Sequence, residues 1–241
     1  MYLQPQIIFE DEDIIAINKP SGWLTLPDRF DPELLSIKSW FESRQEKVFF
    51  VHRIDRDTSG LLLLAKNPEA HKFFNQQFES RAITKTYYGL VQGSMSDEEG
   101  TYDQPIEPHP ALNGRMRVGR KGKSAITHFK VEQRFRSYTW VRFQIETGRT
   151  HQIRVHLQNA GHALVCDPIY GSTDPVLLSA IKRKKFNLSK DSEEERPLLS
   201  RLALHAYSLE VIDRKGEKIM LTAPLSKDLD ATLKQLTKWK G

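Results

Sequence analysis

The run Leu61 to Ala65 is apolar at every position and follows the polar stretch "HRIDRDTSG" from His52 to Gly60. Entered through the turn formers Asp, Ser and Gly, it reads as a buried strand, and the charged loop before it is pinned to rigid core. Asp55 stands in that loop two residues after Arg53 and directly before Arg56. An Asp between arginines in a turn is, taken alone, a solvated pair with no further role. Any other role for Asp55 must come from the rest of the chain.

Around this run the coarse pattern is mixed. Strands are expected at Ile14 to Asn18, Gly60 to Ala65, Lys85 to Val91, Thr139 to Ile145, Leu202 to Val211 and Lys218 to Leu221. Asn67 and Pro68 form an N-cap and first helical position, after which Ala70, Phe73, Phe74 and Phe78 mark one helical face. A second helix is expected from about Thr150 to Ala160, stopping at Gly161, and a third carries Leu229, Leu233, Leu236 and Trp239 at helical spacing. Strands dominate without regular βαβ alternation, so an α+β fold on a mixed sheet is expected rather than a doubly wound parallel one. No internal repeat or low-complexity linker divides the 241 residues, which are taken as a single domain over 1–241.

Charge and cysteine usage narrow the partners. Lys and Arg number 36 against 31 Asp and Glu, a net charge of +5 that suits a polyanionic partner. Cys166 is the single cysteine, which excludes an internal disulfide and a cysteine-based zinc site and fits a reducing cytoplasm. The start shows no basic and apolar signal regions, and no apolar run reaches the length of a membrane span. The charge runs at Lys182 to Lys185 and Glu193 to Glu195 flank a stretch that reads as an exposed insertion.

Several possible sites fail on spacing. His151 and His156 lie five apart with no acidic partner between them, unlike a helical zinc pair. "GRKGKS" at Gly119 to Ser124 brings its second glycine too early for a phosphate loop, and Ser59 lacks the nucleophile elbow of a hydrolase. Three segments remain: "NKPSGW" at Asn18 to Trp23, the Asp55 loop, and "TGRTHQIRVHL" at Thr147 to Leu157, where His151, Arg154 and Gln158 would share a helical face. Each, taken singly, is compatible with a structural or solvated role.

Their order and wording closely resemble the RluA family of pseudouridine synthases, from about Ile7 to Leu225. The family's segments stand here as "NKPSG", "HRIDRDTSG", "KTY" at Lys85 to Tyr87 and "GRTHQIRVH", with Ile54 in place of the usual Leu. The resemblance implies the pseudouridine synthase fold, with a mixed, largely antiparallel sheet, a central catalytic cleft and a few flanking helices. It implies that Asp55 is the catalytic aspartate, Tyr87 the tyrosine beneath the target base, and Arg154 the arginine paired with Asp55. Arg53 resembles the arginine that takes the place of the flipped nucleotide. His52, Thr58 and Arg149, within the same motifs, are further expected RNA contacts. No metal or organic cofactor is implied, and the S4-type RNA-binding domain of some members has too few residues before "NKPSG" to be present. The expected partner is ribosomal or transfer RNA, bound by a cytoplasmic monomer with no membrane association.

The chemistry suits these residue types. Uridine must leave its ribose at the C1′–N1 bond, turn over and rejoin through C5. A carboxylate can assist by attacking C1′ or by taking a proton from C2′, and both need its ionised form. A guanidinium opposes the rise in carboxyl pKa that burial causes, which is the part given to Arg154. The base must be extruded to react, and Tyr87 offers a π-face together with a hydroxyl for the final C5 proton. The Gly-punctuated stretch "GRMRVGRKGKS" places Arg115, Arg117, Arg120 and Lys121 in a loop suited to phosphates. Two other readings stay open: an RNA-binding module without chemistry, and a glycosidase using Asp55, which has no evident second carboxylate.

Overall fold

The computed structural model describes residues 3–183 and 194–239. The chain forms β1 (Gln6–Glu10), β2 (Ile14–Lys19), α1 (Ile37–Ser43), β3 (Phe49–Phe50), β4 (Ser59–Ala65), α2 (Pro68–Glu79) and β5 (Thr84–Gln92). There follow β6 (Glu99–Tyr102), β7 (Ile106–Pro108), β8 (Met116–Val118), β9 (Thr127–Arg134) and β10 (Tyr138–Ile145). The order ends with α3 (Gln152–Asn159), α4 (Leu178–Lys182), β11 (Leu204–Ile212), β12 (Lys218–Thr222) and α5 (Lys227–Lys238). The class is α+β on a mixed, mostly antiparallel sheet, as the sequence pattern requires. Most of the insertion expected between the two charge runs lies outside the described residues. Among the described residues no helix is long and apolar enough to cross a membrane.

Two compact units share the chain. The first takes the chain up to Tyr88, Gln144–Thr150 and Leu204–Pro224; the second takes Gly89–Phe143, His151–Ala203 and Leu225 onward. In the first, the strand order is β1-β2-β4-β11-β5, with β12 beside β11 and β3 beside β4. Its centre is β4, every residue of which is buried. Leu61, Leu63 and Ala65 pack with Ala70 and Phe74 of α2 and with Ile14 and Ala16 of β2. Leu62 and Leu64 pack on the other side with Ile15, Ile17, Trp23 and with Ile37 and Phe41 of α1. A strand covered on both faces needs apolar residues at both parities, which is why this run does not alternate. Each leucine removed from water contributes about 2 kcal/mol.

β2 runs antiparallel to β4, with Asn18 opposite Leu61 and Lys19 opposite Gly60. Where β11 joins the other edge of β4 in parallel, Ala206 faces Gly60. Gly60 has φ +112°, and a Cβ there would stand 2.1 Å from the Ala206 carbonyl oxygen, so only glycine lets β11 approach. α2 begins as expected: the Asn67 side chain accepts the Ala70 N–H at 2.8 Å and Pro68 opens the first turn. α1, capped by Ser36, escaped the sequence pattern because only Ile37 and Phe41 of its seven residues are buried.

In the second unit the order is β5-β10-β9-β6, beside a separate hairpin of β7 and β8. α3 is shorter than expected, and Gln152 to Leu157 are all buried. It is a core helix whose only surface residues are its last two, the half-buried Gln158 and the exposed Asn159.

Candidate active site

Asp55 lies in the turn between β3 and β4, and the "NKPSG" turn holds the backbone of that loop. Lys19, 0% exposed, donates from Nζ to the carbonyls of Pro20 at 3.0 Å, Trp23 at 2.7 Å and Arg56 at 2.9 Å. The Gly22 N–H donates to the same Arg56 carbonyl at 2.9 Å. The Ser21 hydroxyl reaches the Asp57 carbonyl at 2.7 Å and the Thr25 hydroxyl that of Ile54 at 3.0 Å. On the far side the Thr58 N–H closes back onto the Asp55 carbonyl at 3.2 Å. Ser59 donates to His205 Nδ1 at 2.9 Å, and His205 passes its Nε2–H to the Ala223 carbonyl. The carbonyls from Ile54 to Asp57 are therefore all tied, which orders the peptide and leaves the half-buried Asp55 side chain to be aimed by a rigid loop.

Tyr87 stands on β5, also half-buried. Burial raises its phenol above the ordinary tyrosine value, and the negative charge of Asp55 raises it further. That electrostatic coupling brings together two of the residues the sequence singled out. Two residues earlier on the same strand, Lys85 is buried, with Nζ at 3.4 Å from the Glu146 carbonyl; burial and the Arg81 charge lower its pKa.

Arg154 grips a carboxylate of its own unit, Asp167. Its Nε donates to Asp167 Oδ2 at 2.8 Å and its Nη2 to Asp167 Oδ1 at 2.7 Å, with the two side chains 1% and 0% exposed. Asp167 Oδ1 also accepts the N–H groups of Ile169 at 2.9 Å and Tyr170 at 3.0 Å. Burial opposes ionisation of Asp167, but the hydrogen bonds and charge of Arg154 and these amides outweigh it and hold the carboxyl below its usual range. The planar fork predicted for Asp55 is thus matched to Asp167, because the buried helix α3 points Arg154 into the core of its own unit. Its neighbours are committed likewise: Gln152 donates to the Ile126 carbonyl at 2.9 Å and to Thr127 at 3.0 Å, and His156 contacts Thr127 and the Gln104 carbonyl.

Of the expected RNA contacts, Arg53 is exposed and Arg149 half-buried. Two are corrected. Thr58 is buried at 2% exposure. His52 accepts the Leu63 N–H at 2.9 Å through Nε2 and stacks on Phe78 at 4.6 Å between centroids. Burial and the Lys85 charge push its pKa down to about 3, so it is a neutral anchor for β4 and not a cation for phosphate. In the basic loop Arg120 and Lys121 are exposed, Arg117 pairs with Glu107 at 2.7 Å, and Arg115 lies over the Tyr170 ring at 5.2 Å. Lys19, Asp167 and Tyr170 were missed. "NKPSG" carried the signal for Lys19, whereas "DPIYG" at Asp167 to Gly171 carried one that no spacing rule reads.

The family model described as RNA pseudouridylate synthase matches residues 13–159. The chain is 36% identical over 239 residues to the ribosomal large subunit pseudouridine synthase D of Nitrosomonas europaea, covering 96% of this chain and 65% of that protein. It is 35% identical over 229 residues to the protein of the same name from Escherichia coli K12, covering 92% and 68%. The chain thus spans about two thirds of the length of these relatives. Among solved structures, human RNA pseudouridylate synthase domain containing 1 superposes with a TM-score of 0.71 at 25% identity, over 95% of this chain and 87% of that one. Human RNA pseudouridylate synthase domain containing 4, at 22% identity and TM-score 0.73 over 96% and 92%, shares the fold.

Proposed function

The chain belongs to the RNA pseudouridylate synthase family, and from that premise we propose that it isomerises uridines in structured RNA with Asp55 as the catalytic carboxylate. The observation that carries this is the coupling of Asp55 to Tyr87 on a loop whose backbone carbonyls are tied. Asp55 attacks C1′ as the C1′–N1 bond breaks, or takes the C2′ proton as that bond breaks; the detached uracil turns over on the Tyr87 ring, C5 bonds to C1′ as the Asp55–C1′ bond breaks or Asp55 returns the proton to C2′, and the C5 proton is then lost to water while N1 takes one up. The raised Tyr87 pKa keeps its hydroxyl protonated, which favours supporting and orienting the base over acting as the base toward C5. Arg53 and Arg149 bind RNA beside the flipped nucleotide. Arg154 acts as a positioning residue through Asp167 rather than as the partner of Asp55.

The substrate to test first is large-subunit ribosomal RNA, named for the bacterial relatives, with transfer RNA second. The setting is the cytoplasm and the enzyme a monomer. We treat the whole chain as one catalytic domain, because each unit draws on three separate stretches of sequence.

The experiment uses unmodified transcripts labelled at the uridine C5 hydrogen. Isomerisation releases that label while the base stays in the RNA; a glycosidase would release free uracil, and a binding module neither. Retention of the label with tight RNA binding would overturn the enzymatic reading.

A further inference from the structure

We propose that Tyr170 is a positioning residue that latches the basic hairpin to the head of α3, and that this latch sets how Arg120, Lys121 and Lys123 are presented to RNA. The inference rests on the RNA-modifying reading above and adds the device that shapes its RNA contact.

Tyr170 is 4% exposed and belongs to the cluster of Ile106, Ala125 and Val155, against which Met116 and Val118 of the hairpin pack. Its hydroxyl oxygen accepts the Met116 N–H at 2.8 Å and lies 2.9 Å from His151 Nδ1. The Met116 amide donates to one lone pair of the hydroxyl, and the hydroxyl and His151 Nδ1 share a second hydrogen bond whose donor is set by the His151 tautomer, so one phenol satisfies a strand of the hairpin and the N-cap of α3 together. Burial raises the phenol pKa, which keeps the hydroxyl protonated. The ring takes part as well, with the guanidinium carbons of Arg115 and Arg154 at 5.2 and 5.1 Å from its centroid. The Tyr170 N–H donates to Asp167, the carboxylate that grips Arg154.

Two further features show that something must hold this junction. His151 has φ 57° and ψ 22°, a left-handed conformation unusual for a residue with a side chain, and its side chain caps no amide of α3. The bond to Tyr170 restrains it, two residues after Arg149. The hairpin is itself tightly closed: a Cβ on Gly119 would stand 2.2 Å from the Glu107 carboxyl carbon, and one on Gly122 would stand 2.5 Å from the Ile106 carbonyl carbon. Arg120, Lys121 and Lys123 are exposed, and among the described residues none of them pairs with a carboxylate. The hairpin is therefore a stiff basic paddle whose orientation hangs on its seat at Tyr170.

The test is Tyr170→Phe, which keeps the ring and removes only the hydroxyl, assayed on transcripts of large-subunit ribosomal RNA. KM should rise about tenfold, the effect of leaving one buried donor unsatisfied, while kcat stays within about threefold. The slope of log affinity against log salt should become shallower, by at most about one for each of the three cations. In a protein already carrying Arg120→Ala, Lys121→Ala and Lys123→Ala, Tyr170→Phe should then change neither quantity, which a merely structural role would not produce. Should Tyr170→Phe fail to fold, His151→Gly, which suits the left-handed backbone and loses the imidazole, should give the same rise in KM. Wild-type KM and salt slope in Tyr170→Phe, or equal losses in both backgrounds, would overturn the latch. Failure of wild-type protein to convert uridine would instead overturn the enzymatic reading, and binding and salt slope would still decide the latch.

Discussion

Asp55 and Asp167 are the same residue type held in opposite ways. Asp167 is fully buried, and its carboxylate receives four N–H donors, two from Arg154 and one each from Ile169 and Tyr170. Around Asp55 it is the backbone that is tied, by Lys19, Ser21, Gly22, Thr25 and Thr58, while the side chain stays half-buried and reaches Tyr87 electrostatically. A carboxylate whose lone pairs are filled by four N–H groups organises its neighbours; the loop that carries Asp55 is ordered instead through its backbone carbonyls. The contrast shows Arg154 holding Asp167 in place.

The sharpest way to break this contrast is to remove each charge in turn. Asp55→Asn should lower turnover by roughly a thousandfold or more, as for loss of a covalent or proton-transfer group, with little change in melting temperature or RNA affinity. Near wild-type turnover in Asp55→Asn would end the mechanism. Arg154→Met should do the reverse. It strands a buried carboxylate at a cost of about 3–5 kcal/mol, lowering the melting temperature by on the order of ten degrees, while the protein that remains folded still isomerises uridine. An Arg154→Met protein of normal stability and no activity would return Arg154 to the catalytic group.

Acid sensitivity separates the regions next. The folded pKa of Asp167 is depressed, so its stabilisation is complete above the ordinary carboxylate value near 4 and is lost as pH falls below it. The folded pKa of His52, about 3, lies below its unfolded value, so its contribution is complete above pH ~6.5 and declines as pH falls toward 3. Melting curves between about pH 6.5 and 4.5 should then show a decline in wild type that His52→Gln flattens and Arg154→Met does not. Parallel curves for wild type and His52→Gln would show that His52 takes up protons in the folded protein.

The smallest effects belong to the hairpin. Arg120→Ala should shorten the salt slope by up to about one phosphate contact, and Arg117→Ala by less, because Arg117 already faces Glu107. Equal slopes for the two variants would show that the Glu107 pair opens when RNA binds.

Much of the frame was legible in advance. The capped start of α2, the strands β2, β4, β5 and β10, and the closing helix follow from local cues: an Asn-Pro cap, two-residue alternation, an apolar run, leucines at helical spacing. The short hairpin of β7 and β8 was read as a basic loop because strands of three residues carry too little pattern, and α1 was missed for the same reason. In the site, the motifs named Asp55 and Tyr87, and the Asp55 charge acts on the Tyr87 phenol. His52 and Thr58 were misjudged because a motif lists neighbours in sequence without saying which side chains face inward.

What the amino-acid order determined by itself was therefore whatever depends on near neighbours: element types, the buried run of β4, and the family motifs. The choice of partners was tertiary. Arg154 meets Asp167 because the first six residues of α3 are buried and the turn after it brings a carboxylate and two amides to the guanidinium. Lys19, a cation that composition would place on the surface, lies at 0% exposure because three carbonyls from two loops converge on it. A buried charge is tolerated only where its donors and acceptors are met, and which groups meet it is decided by how the chain packs.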